Sequence, residues 1–252
     1  MERSDRDILR GLAARYMELA SLPVMAERRR QWTALKDLHA ERPMVLFETA
    51  TLVDFVAAEE LQCTDPFLRD VERTLRWTLR HAEVVGDDIV LEPLWRAGWQ
   101  IDASDYGVPL PAHHAEDVQG GRLAYAYEHP LRSPDDVAYL RPRTWRVDRE
   151  QTQRKVEQLQ EAFGDLLPVV LHGTGGLYVG LTADLFRLIG NQNLLLWAFD
   201  APEALHRVMA YLRDDRLAYY AWLEREGLLG LNNTSAHVGS GSPGFTSALP
   251  AP

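Results

Sequence analysis

Residues 166–176, LLPVVLHGTGG, constrain this chain more than any other stretch. A short apolar run with β-branched Val169 and Val170 follows Pro168 and runs into a polar, glycine-rich turn. Such a run, with a helical pattern on each side, predicts a strand buried on both faces of a parallel sheet. His172, Gly173 and Thr174 then stand at its C-terminal end, where open α/β sheets and β/α barrels bind ligands.

The flanking sequence supplies further strand–helix alternation. Residues 4–20 read as a helix from a Ser4/Asp7 capping box, with Ile8, Leu9, Leu12, Tyr16 and Leu19 on one face. A second helix is expected over 25–40. Both precede any strand and predict a helical appendage over 1–42. Residues 44–47 read as a strand ending in Glu48. The helix from Pro66 to about 84 is capped by Asp65, and 89–91 read as a strand ending in Glu92 and Pro93. This makes one β-α-β unit. Residues 98–147 break the alternation and predict a hairpin or extended excursion, then a short helix at Ser133 and Pro134. Helices are expected over 148–163, 177–190 and from about 200 to 226. A fourth strand over 228–231 ends in Asn232 and Asn233, and the tail has loop composition. Four parallel strands with helical crossovers fit an α/β fold of the TIM (β/α)8-barrel type. They would fill only the first half to two-thirds of it, so residues 43–252 are expected to be a partial barrel.

Composition narrows the function. The chain has 252 residues, 46% hydrophobic and 25% charged, with a formal charge of −10 and a pI of about 5.3. That charge argues against nucleic acid or an anionic membrane as partner and leaves a small-molecule substrate, with a homo-oligomer open. Cys63 is the single cysteine, which excludes an internal disulfide and a Cys-based metal cluster. No apolar run approaches the roughly 18 residues of a membrane span, and MERSDRDILR is too charged for a signal peptide. The expected location is cytoplasmic.

The segment PVVLHGTG resembles the strand-plus-glycine segment of the uroporphyrinogen decarboxylase superfamily. LRGLAARYMELASLPVMAERRRQWTALKDLHAERPMV, LQCTDPFLRDVERTLR, DDIVLEP, REGLLGLNN and GSGSPGFTSALP are similar to its bacterial members near the corrinoid-dependent methyltransferases. The resemblance implies a (β/α)8 barrel with its site at the C-terminal mouth. It also implies methyl transfer linked to a corrinoid (cobalamin), with zinc as a second cofactor and a corrinoid protein as partner. Decarboxylation of a tetrapyrrole or similar acid, without a cofactor, is the alternative. A non-catalytic corrinoid- or ligand-binding protein is the third reading. Two departures weigh against porphyrinogen decarboxylation. The stretch VLFETATLVDF lacks the family's Arg, and Glu92 stands where the family holds an Asp.

The expected catalytic residues are Glu92, His172 and Glu48, all at strand ends. A carboxylate there can act as acid or base, or simply pair with an arginine. His172 acts on substrate or is a hydrogen-bonded core histidine. Gly173 is expected to let a ligand approach the backbone. Asn232 and Asn233 offer amide groups to substrate or form a turn. Tyr106 and Tyr127 belong to the excursion and suit a partly apolar ligand. His113, His114 and His237 read as exposed loop histidines, Cys63 as a small buried hydrophobe, and GSGSPG as a loop.

Overall fold

A computed structural model describes residues 3–48, 55–114, 125–175, 179–237 and 242–250. The chain is mixed α and β, about 53% helical, with its described strands in three two-stranded sheets. It divides into two compact units: Met1–Trp99, Arg149–Gly176 and Leu229–Pro252 form the first, and Gln100–Asp148 with Leu177–Leu228 the second.

In the first unit, helices α1 (Arg3–Ala20), α3 (Pro66–Arg80) and α4 (Arg149–Phe163) enclose one core. Leu9, Leu68, Leu75, Leu159 and Phe163 meet there, each contributing about 2 kcal/mol by leaving water. Asp65 caps α3 as expected, its side chain accepting the Leu68 N–H at 2.9 Å, with Pro66 in the first turn. Fully buried Asp5 accepts the N–H groups of Thr64 and Asp65, so α1 also holds the approach to α3. Fully buried Glu72 accepts the N–H groups of Gln62 and Cys63 and pairs with Arg76. Burial and the Glu72 charge push the Cys63 thiol up to about 12, so it packs as the small hydrophobe expected. Helix α2 (Pro23–Lys36) sends Trp32 against Val90 and Phe245.

The sheet of this unit pairs β1 (Trp95–Gly98) with β6 (Val169–His172) in parallel, with Trp95 opposite Val169 and Gly98 opposite His172. The expected central strand is therefore present and parallel. It is not buried on both faces. Trp95, Ala97 and Val169 pack on the helical core, whereas Val170 is 43% exposed. Arg96, Val170 and His172 share the opposite face through the two-residue period of paired strands.

The expected strands over 44–47, 89–91 and 228–231 do not form ladders. Residues 44–47 and 88–91 run side by side with one backbone bond, from Asp88 N–H to the Val45 carbonyl. Asp88 Oδ2 takes the Val45 N–H, and Asp87 takes those of Phe47 and Ile89. Carboxylates thus occupy donors that a ladder needs. Residues 228–231 contribute a single parallel bridge, Leu229 with Thr174. Strand β1 was not expected, because it follows Pro93 by two residues and is only four residues long.

The second unit holds β2 (Ile101–Ala103) antiparallel to β5 (Trp145–Val147) and β3 (Ala112–His114) antiparallel to β4 (Tyr125–Tyr127). The hairpin expected of the excursion is this second pair. Helices α5 (Thr182–Asp200) and α6 (Pro202–Arg225) pack beside them around Leu131, Leu188, Val208 and Leu212. The short helix at Pro134–Tyr139 starts as expected, with Asp136 accepting the Ser133 N–H at 2.7 Å. Gly190 interrupts α5 at φ 76°, ψ 166°, a conformation essentially reserved for glycine. A Cβ there would lie 2.6 Å from the His129 ring. The helix expected to stop at 190 does stop there: Gly190 leaves the helical conformation and a second helix follows it. Among the described residues, no helix is long and apolar enough to cross a membrane.

Candidate functional site

Glu92 and His172 of the first unit both lie near the Arg96 side chain. Arg96 of β1 grips the Glu92 carboxylate with two guanidinium nitrogens, at 2.7 and 3.0 Å. The Ser235 N–H adds a third bond at 2.7 Å. Glu92 is 6% exposed. Burial raises its proton affinity, but the Arg96 and Ser235 bonds outweigh this, and the net shift is below the usual carboxylate range. Glu92 is therefore an anchored anion, poorly suited to act as an acid near neutral pH. It precedes β1, so it does not occupy the C-terminal strand end expected of it.

His172 closes β6, beside the Leu231 backbone. Partial burial, then the nearby Arg96 charge, holds its proton affinity below the ordinary 6.5, ahead of the opposing effects of Leu231 and Glu92. A neutral imidazole that can accept a proton results. From α1, Tyr16 is pushed up to about 12 by burial and by the Glu92 charge, so its phenol stays protonated.

The other expected residues have different surroundings. Gly173 does not leave space for a ligand: a Cβ there would lie 2.5 Å from the Leu229 carbonyl carbon and 2.7 Å from Gly230 N. The glycine is required because two chain segments cross at that point. Asn233 is 7% exposed and holds the tail, donating to the carbonyls of Leu249 and Pro250 and accepting from Thr246 N–H. Asn232 is half-buried, and its carbonyl accepts the Thr234 N–H at 2.8 Å in a turn. Asn232 thus forms a turn, and Asn233 anchors the tail. Half-buried Glu48 ends the 44–47 segment, one residue after the Phe47 N–H that bonds Asp87.

Tyr106 and Tyr127 belong to the second unit. Tyr106 is 8% exposed in that unit's core, with Arg143 4.4 Å from its ring centre, so it packs rather than faces a ligand. Tyr127 lines an open cleft. His113 is exposed and pairs with Glu128, and exposed His237 bridges to Pro243. Part of GSGSPG lies outside the described residues.

Arg96, Ser235 and Tyr16 are the members that sequence reasoning missed. The Glu92/Arg96 spacing of four residues was a signal, but one normally associated with helices. Among the described residues no three His, Cys, Asp or Glu side chains converge on a metal-sized site. No protein-family model, curated protein or solved structure matches the chain.

Proposed function

We propose that this chain is an enzyme of the uroporphyrinogen decarboxylase superfamily, with a (β/α)8-barrel-type architecture, catalysing methyl transfer linked to a corrinoid carrier. The sequence blocks support the family and the reaction. The observation that supports the chemistry is His172 at the end of β6, on the sheet face that also carries Arg96 of the Glu92–Arg96 pair. A bound methyl-corrinoid would supply an electrophilic methyl carbon, the Co–C bond breaking with its electron pair retained by cobalt. His172 removes the proton of a thiol or hydroxyl nucleophile held over the open sheet face. Arg96 would stabilise the resulting anion, with Glu92 fixing the guanidinium plane. No step is assigned to zinc.

Arg96 also favours the second reading, decarboxylation of a tetrapyrrole or similar acid, because a guanidinium can hold a substrate carboxylate. One experiment separates the two. Methylcobalamin with 2-mercaptoethanol should be demethylated faster with the protein than without it. His172→Gln should slow that catalysed rate about a hundredfold, the usual scale for losing a positioned base. Release of CO2 from uroporphyrinogen with no demethylation would favour the decarboxylase. Binding of methylcobalamin without either turnover would leave a carrier-binding protein.

A further inference from the structure

The second unit contains a cleft of about 630 Å³ between β4 and the first half of α5. Tyr127, His129, Phe186 and Leu194 give it largely apolar, aromatic walls. Phe186 stands edge-on to the His129 ring at 5.2 Å and is 38% exposed. The cleft lies within the volume range of small-molecule sites, roughly 300–1,000 Å³.

Its charge comes from Arg187. The guanidinium lies 5.4 Å from the Tyr127 ring centre, and its side chain is 42% exposed. Among the described residues its carboxylate contact is Asp184 at 3.4 Å, a long bond. Asp184 is already held by Arg216 at 2.7 Å. Among the described residues, most of the Arg187 donor fork is therefore left for a ligand. Thr182 opens α5 on the same cleft, and the helix has no side-chain cap at Leu181. Uncapped first-turn N–H groups and a guanidinium both attract an anion. The His129 Nδ1–H donates to the Arg187 carbonyl at 3.1 Å, which leaves Nε2 able to accept a hydrogen bond.

We infer that this cleft binds a planar aromatic carboxylate, with the ring among Phe186, His129 and Tyr127 and the carboxylate on Arg187. The inference is independent of the chemistry proposed at His172. Calorimetric titration with 2-naphthoate and its neutral amide, 2-naphthamide, tests it. Wild type should bind naphthoate at least about tenfold more tightly than naphthamide, the scale of a charge-assisted hydrogen bond. Arg187→Ala should erase that preference while leaving naphthamide affinity in place, and Phe186→Ala should weaken both ligands. Arg187→Lys should recover part of the preference, with thermal melts confirming that each variant is folded. Equal affinity for the two probes in wild type, an unchanged preference in folded Arg187→Ala, or no binding of either probe would overturn the inference.

Discussion

Gly173→Ala is expected to destabilise the protein by about 3 kcal/mol, the upper part of the usual range for overpacking. The new methyl group would sit 2.5 Å from the Leu229 carbonyl carbon and 2.6 Å from its oxygen. These are backbone atoms, so no rotamer change relieves the overlap. The crossing is reciprocal: a Cβ on Gly230 would lie 2.8 Å from the Gly173 oxygen. Gly98 provides the control. It stands opposite His172 on the neighbouring strand and has nothing within 4 Å of its would-be Cβ. Gly98→Ala should change stability by about 0.5 kcal/mol or less, the ordinary scale away from strained sites. Denaturant midpoints read both. A Gly173→Ala protein as stable as wild type would return the position to the ligand-approach role expected from the sequence.

Arg96→Met is expected to cost about 3 kcal/mol, because it leaves the Glu92 carboxylate buried without its cation. Glu92→Gln/Arg96→Met should recover much of this, since the glutamine oxygen still accepts the Ser235 N–H and no charge is stranded. A double-mutant cycle gives the coupling. The pH dependence has a definite sign. The Glu92 proton affinity is lowered in the folded protein, so its stabilisation is fully present above about 4.5, the ordinary carboxylate value. It is lost as pH falls through the lower folded value. The difference between wild type and Arg96→Met should therefore shrink in acid. A difference that stays constant from neutral pH to below that window would show that packing of the arginine stem, not its charge, sets the cost.

The helices were legible because their signals are local. Asp65 before Pro66, and Ser133 with Asp136, act over three residues, and the structure places those helix starts as read. The strands were less legible. Apolar content at 89–91 marks burial, and Val90 and Leu91 are indeed buried, whereas Val45 and Phe47 are exposed. It cannot show that Asp87 and Asp88 take the N–H groups a ladder requires. The same limit applies to the site. His172 and Glu92 stood out as polar residues ending apolar runs. Ser235 reaches Glu92 from 143 positions away, and Tyr16 senses it from α1. Such partners depend on the folded path of the chain, to which a single sequence gives no spacing rule. Gly173 shows the converse. A glycine after a strand suggested room for a ligand, but the space belongs to the chain itself.

His172 and the Glu92–Arg96 pair form one electrostatic unit. NMR titration of the His172 imidazole, in wild type and in Arg96→Met, tests it most directly. In wild type the ring should titrate below 6.5, because partial burial and the Arg96 charge disfavour its protonated form. In Arg96→Met it should titrate higher, as the repelling cation is gone and the Glu92 anion is left uncompensated. A wild-type ring that titrates at or above 6.5, with no response to Arg96→Met, would contradict the account.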